Sequence, residues 1–206
     1  PTCRSCCKNQ NYTKAPQKQV RYSLFSLLVN LHTIILAAGK GTRMNTNLPK
    51  VMQPLAGKPM IDHVITTAGT LTNKISIIIG YKKDVLNDHL SANFKNVETF
   101  VQPELNGTAG AVKAAQKNII NDEDVLVLYG DVPLISHETL KNALNDNHDA
   151  VILTMIPKDP FGYGRVIKND SSLATEIIEE KDASAEQKKI NEVFTGIMII
   201  KGEMLL

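Results

Sequence analysis

The stretch ILAAGKGTRMNTNLPK, residues 35–50, breaks an apolar run into Ala37-Ala38-Gly39-Lys40-Gly41. Arg43 and Lys50 follow with no carboxylate between them. Glycine removes side chains, so backbone N–H groups can face an anion. Lys40, Arg43 and Lys50 can add charge-assisted bonds, bidentate ones in the case of Arg43. The chemistry such a loop suits is phosphate binding. Read alone, the simpler account is a tight turn with solvated cations. Two common phosphate loops are excluded. The P-loop pattern needs Gly where Ile34 stands and Ser or Thr where Gly41 stands, and the dinucleotide pattern needs a small residue where Met44 stands.

Other stretches share this chemistry. Tyr129-Gly130-Asp131 ends an apolar run. A carboxylate facing phosphates is repelled unless a divalent cation lies between them, and Mg²⁺ commonly uses one or two carboxylates plus phosphates. Asp131 is therefore a candidate metal ligand, with a strand-end turn before Pro133 as the alternative. In QPELNGTAGA, residues 102–111, Gly107 and Thr108 open a helix whose start gathers partial positive charge. The Gln102 amide both donates and accepts, which matches a base edge. A glycine loop with a Thr cap is the plainer reading. Gly162 and Gly164 in GYGR permit close ligand approach beside a strand. Glu179, in EEKDA, can accept from sugar hydroxyls, although a solvated charge run is the preferred reading of these residues in isolation. The five histidines are scattered, and no Gly-x-Ser-x-Gly nucleophile elbow occurs.

Positioning these groups requires strand ends, and the pattern supplies them. Strands are predicted at His32–Ala37, 75–79, Val97–Val101, 125–129 and 150–156. Helices are predicted at Pro59–Thr72, Asp84–Leu90, Thr108–Ile119 and from a Ser136 cap to about Asn145. Solidly apolar strands alternating with helices predict a three-layer α/β domain with a mainly parallel sheet, its ligands at the carboxyl ends of the strands. After Pro160 the segments GYGRVIK, LATEIIEE and VFTGIMII read as an appended antiparallel or mixed part.

The chain has 206 residues, 43% hydrophobic and 21% charged. A chain of this length can bury about 70% of its unfolded surface. A net charge of +2 gives no ground for nucleic acid or membrane as partner. Residues 1–28 are polar and without strong periodicity, and read as disordered or foreign to the fold. They hold all three cysteines, Cys3, Cys6 and Cys7, with no second Cys/His pair at zinc-finger spacing. Lys14, Lys18 and Arg21 before YSLFSLLV imitate a signal peptide, but Asn30 and His32 interrupt the run. No apolar stretch reaches transmembrane length.

In this order, LAAGKGTRM, LPKVMQPLAGKPMIDHV, QPELNGTAGA, LYGDVPLIS, GYGRVI and EEKDA resemble one family. It is the uridylyltransferase half of the bacterial bifunctional N-acetylglucosamine-1-phosphate uridylyltransferase/glucosamine-1-phosphate acetyltransferase. The resemblance covers residues 31–206, leaving 1–30 as a non-native extension, with Val29 as the expected natural start. It implies a Rossmann-like nucleotidyltransferase domain with a mainly parallel, mixed sheet. It also implies a cytoplasmic enzyme that joins UTP and N-acetylglucosamine 1-phosphate, using Mg²⁺, into UDP-N-acetylglucosamine and pyrophosphate for cell-wall precursors. By the same resemblance, Leu36, Ala37, Ala38 and Gly39 meet the nucleotide, Arg43 the outgoing pyrophosphate and Lys50 the phosphate near the reacting phosphorus. Gln102, Gly107 and Thr108 read uracil. Tyr129, Gly130 and Asp131 bridge sugar and metal, with Asp131 as ligand, and Gly164 and Glu179 hold the amino sugar. Three departures stand out. Phe194 replaces the family's Asn before Thr-Gly-Ile. The chain stops at Leu206, before a later metal-site Asn and the acetyltransferase half through which the family trimerises, so acetyl transfer is not expected. Residues 1–30 match nothing in the family. Another sugar-1-phosphate nucleotidyltransferase, or a non-catalytic nucleotide-binding fragment, are the alternatives.

Overall fold

The computed structural model describes residues 30–41, 47–104, 107–146 and 148–206. The cysteine cluster, the leader-like run, the Val29 start and the Arg43 assignment lie outside the described residues. In chain order, β1 (Leu31–Leu36) is followed by a small hairpin, β2 (Pro54–Leu55) and β3 (Lys58–Pro59), then α1 (Met60–Gly69) and β4 (Lys74–Ile79). Next come α2 (Lys83–Asn93), β5 (Val97–Val101), α3 (Thr108–Ala114), β6 (Asp124–Tyr129) and α4 (His137–Leu144). The chain ends with β7 (Ala150–Met155), β8 (Arg165–Lys168), β9 (Ala174–Ile178) and β10 (Val193–Lys201).

Every residue of β1 is buried. Parallel ladders to β4 and β6 cover its two edges. Its side chains alternate between two apolar layers, as strand geometry requires. Ile35 packs with Val64 of α1, Leu86 of α2 and Leu140 of α4. Ile34 and Leu36 pack on the other face with Ala111 of α3, Ala115 and Val127. The predicted three layers are thus present around a mixed eight-stranded sheet. Its parallel half runs β5-β4-β1-β6, and β10 joins β6 antiparallel.

Two expectations needed revision. The 150–156 run is β7, but it pairs antiparallel with β10 instead of extending the parallel half. Its ends, Ala150 and Met155, are exposed, so an apolar run alone did not report full burial. The helix expected to reach Ile119 stops at Ala114 and tightens into a 3-10 turn, Gln116–Asn118. There the Asn118 carbonyl accepts from Lys74 Nζ at 2.6 Å.

The amino ends of the central strands enclose a polar cluster. His32, fully buried, has Nε2 2.8 Å from Ser76 Oγ and Nδ1 3.2 Å from Glu123 Oε1. A neutral imidazole satisfies both by donating from Nδ1 and accepting at Nε2. Glu123 also accepts from Lys74 Nζ at 2.8 Å and from the Ile120 N–H at 2.9 Å. Burial first, and the Lys74 charge second, hold the His32 pKa below its ordinary 6.5, against the opposing pull of Glu123. The unfolded chain therefore binds a proton that the folded chain refuses. This destabilisation is absent well above pH 6.5, begins as pH falls through 6.5, and grows towards the lower folded pKa. Denaturant melts between pH 7.5 and 5.5 should show stability falling by up to about 1.4 kcal/mol per pH unit from this group. The His32→Gln variant should lose that portion of the slope.

Candidate active site

The strand order β5-β4-β1-β6 reverses direction between β1 and β6. At such a reversal the connections leave to opposite faces and open a crevice at the carboxyl ends of the strands. A cavity of about 480 Å³ lies there. It gathers residues at and after the carboxyl ends of β1, β5 and β6.

The exit of β1 forms the first wall with Leu36, Ala37, Ala38, Gly39 and Gly41. The Ala37 N–H donates to Ile78 at 2.8 Å, and the Tyr81 N–H to Ala38 at 3.0 Å, so the loop is tied to β4 and the turn beyond it. A Cβ on Gly80 would stand 2.8 Å from the Ala38 Cβ, which makes glycine necessary for that approach. A Cβ on Gly39 would meet no atom of the described residues within 4 Å, in keeping with bare backbone facing open space. Gly41 has φ +61°, and a Cβ there would lie 2.7 Å from the Lys50 Cβ. Gly41 therefore leaves room for the stem of Lys50, which lines the cavity. Lys40 does not line it. Its ammonium lies 5.8 Å from the centre of the Tyr81 ring, whose electron-rich face holds it outside.

Lys50 Nζ pairs with Asp131 Oδ2, and both line the cavity. Among its described contacts Asp131 faces a cation and no turn N–H. Gly130, beside it, does not line the cavity. A Cβ there would crowd Val51 at 3.0 Å and Ile61 at 3.3 Å, and its N–H donates to Leu36 at 3.0 Å. Its place is packing behind the wall.

The segment after β5 supplies Gln102, Gly107, Thr108 and Ala111. Gln102 is 6% exposed, and its amide nitrogen donates to the Gly107 carbonyl at 3.2 Å. Gly107, at φ +96°, occupies the cap position that the sequence suggested for Thr108. Thr108 Oγ1 instead lies 2.9 Å from the Tyr129 hydroxyl across the cavity wall.

Gly164 and Glu179 are absent from this lining. Glu179 belongs to a second cavity of about 490 Å³ with Phe161, Gly162, Glu180, Lys181 and Lys188. A Cβ on Gly164 would lie 3.7 Å from Glu179 Oε1, so the two predicted residues are neighbours. Buried Arg165 holds this region together, through NH2 to Glu180 at 2.8 Å and NH1 to the Tyr163 carbonyl at 2.5 Å. Burial pushes the Glu180 carboxyl up, but the Gly162 N–H, Arg165 and Lys188 together hold it below the usual range. Phe194 joins the same region through its backbone, donating to the Gly164 carbonyl at 2.9 Å. Gly41, Val51 and Ala111 line the main cavity without having been singled out. The second glycine of Gly-Lys-Gly, nine residues before Lys50, was the available signal for Gly41.

A parallel sheet with a strand-order reversal, a glycine loop and a facing carboxylate define a nucleotide-binding α/β domain. Residues 33–193 match the MobA-like NTP transferase domain, and the chain belongs to that family. More particularly, it is similar to the bifunctional protein GlmU of Hydrogenovibrio crunogenus, 46% identical over 181 residues that cover 86% of this chain and 39% of that protein. The GlmU proteins of Neisseria gonorrhoeae and Thermotoga maritima are 45% and 42% identical over 85% of this chain, covering 38% and 39% of theirs. The chain thus spans under two fifths of the length of these curated relatives. A crystal structure from Bacillus anthracis, assigned provisionally as a glucose-1-phosphate thymidylyltransferase, shares the fold with a TM-score of 0.68. It is 22% identical and is matched over 85% of this chain and 73% of its own. No helix among the described residues is long and apolar enough to cross a membrane.

The Gly41→Ala variant tests the first wall. Left-handed backbone for alanine costs about 1–2 kcal/mol, which thermal melts should register. The crowding at Lys50 should in addition weaken nucleotide binding more than that loss of stability explains, as titration calorimetry would show.

Proposed function

We propose that the chain is a uridylyltransferase domain that joins UTP and N-acetylglucosamine 1-phosphate into UDP-N-acetylglucosamine and pyrophosphate. What supports this reading is one cavity that brings the Lys50–Asp131 pair together with Gln102, Gly107 and Thr108. A phosphate-binding cation and candidate base-reading groups thus share a single volume. The GlmU relatives support the same reading.

The chemistry asks little of the protein beyond placement. An oxygen of the sugar phosphate, already anionic, attacks the α-phosphorus of UTP. The new P–O bond forms as the bond to the bridging oxygen of the β-phosphate breaks, and pyrophosphate leaves with that electron pair. No protein base is needed, so in-line positioning and charge neutralisation carry the catalysis. Lys50 takes the charge near the reacting phosphorus, and Arg43 the charge on pyrophosphate. Lys50 is 43% exposed in its pair with Asp131. Such exposed pairs contribute about 0–1 kcal/mol, so a phosphate readily draws the ammonium away.

Asp131 is the carboxylate that lines the cavity among the described residues. One carboxylate plus phosphates is a donor set that fits Mg²⁺. Bound there, the cation would supply charge neutralisation on the phosphates. Gln102, held through its amide nitrogen, would meet uracil from the cavity wall. Glu179, which lines the second cavity, and Gly164 beside it would hold the amino sugar.

Pyrophosphate release, assayed with Mg²⁺, each nucleoside triphosphate and different sugar 1-phosphates, tests the assignment. UTP with N-acetylglucosamine 1-phosphate should be the preferred pair. UTP binding without release would favour a non-catalytic module, and equal use of CTP would remove Gln102 as the base reader. Lys50→Ala should lower the rate by about 10²–10³, equivalent to roughly 3–4 kcal/mol. Near-normal turnover by that variant would refute the role of Lys50.

A further inference from the structure

Tyr129 and Thr108 line the main cavity and meet through their hydroxyls at 2.9 Å. What holds the Tyr129 ring in place comes from the antiparallel part of the sheet. A Cβ at Gly196 would lie 2.4 Å from Tyr129 Cε2 and 2.9 Å from Cζ. Both lie under the 3.0 Å that real Cβ atoms essentially never cross, and a ring cannot flex away as a long aliphatic chain can. Glycine at this position therefore lets the ring lie close against the backbone of β10.

The backbone of β10 is shaped for that contact. Phe194 pairs with Thr154 and Met198 with Ile152, so residues 195–197 face Leu153 alone. This is a β-bulge, a device that re-aims a strand locally and recurs beside active sites. Thr195 fastens it, donating from Oγ1 to the Leu153 carbonyl at 2.7 Å and lying 3.3 Å from the Ile197 N–H. Gly196 sits at the centre with φ +89°, which favours glycine independently of the ring contact. One residue before the bulge, the Phe194 N–H donates to the Gly164 carbonyl.

We propose that Gly196 is a positioning residue for the transfer reaction: it seats the Tyr129 ring so that its hydroxyl fixes Thr108 at the nucleotide side of the cavity. The bulge at 195–197 thereby ties the geometry of the nucleotide pocket to the strand that also holds the Gly164 turn. This role rests on the functional reading above.

A double-mutant cycle on the full chain separates the ring contact from the backbone conformation. Gly196→Ala, Tyr129→Leu and the double variant are compared by kcat/KM for UTP and by Tm. The left-handed strain of alanine at 196 is common to both backgrounds and cancels in the cycle. The clash exists only where the ring is present. Gly196→Ala should lower kcat/KM roughly ten- to a hundredfold in the wild-type background, the scale of a misplacement of about 1 Å. In the Tyr129→Leu background the same change should lower it far less. Equal losses in both backgrounds would overturn the proposal, as would wild-type kinetics in Gly196→Ala. If Gly196→Ala does not fold, recovery of folding in the double variant supports the ring contact, and failure of both overturns it. If wild type releases no pyrophosphate from any triphosphate, the functional reading fails. The Tm cycle still decides whether glycine 196 is required by the ring.

Discussion

The hydrogen bonds that β1 makes to β4 on one edge and β6 on the other leave its backbone no alternative register. Apolar layers on both faces complete the confinement. A strand held on four sides delivers its carboxyl end to one place, and the glycine loop begins there. Because the next strands are added first on one side of β1 and then on the other, that place is also where the sheet parts. The location of the cavity is thus a consequence of burying β1, and the loop residues inherit their positions from it.

The two ends of the central strands handle charge in opposite ways. At the amino ends, Glu123 is enclosed and bonded by Lys74, His32 and a backbone N–H, with its capacity taken up by the protein. At the carboxyl ends, Lys50 and Asp131 remain partly exposed and, among the described residues, pair with each other. The first arrangement is suited to stability and the second to exchange of partners. The antiparallel part reaches the second region through β10, whose bulge backs Tyr129 while its neighbour Phe194 supports the Gly164 turn.

Much of this was legible in the sequence because local patterns and global fold agree. His32–Ala37 and 125–129 could be read as enclosed strands, and Ser136 as a cap, which it is, accepting from the Thr139 N–H. Leu36 to Gly39, Lys50, Gln102, Gly107, Thr108, Tyr129 and Asp131 line one cavity. What was not legible depends on contacts between distant segments. The apolar run at 150–156 carries no mark of the direction of its partner. Nothing local tells that Lys40 will find the Tyr81 ring, or that Thr108 will bond Tyr129 instead of capping its own helix. Gly196 reads as an ordinary strand glycine until the ring beneath it is seen. Gly164 and Glu179 could be placed beside one another only by the pairing of β8 with β9.

The pairing of Lys50 with Asp131 has a consequence for how the first ligand arrives. Among the described residues that line the cavity, Lys50 and Asp131 are the oppositely charged pair, each partly exposed. An anion that reaches Lys50 has first to displace Asp131, and a cation that reaches Asp131 has first to displace Lys50. Each charge is thus the other's placeholder, and either is released by a ligand of the opposite sign.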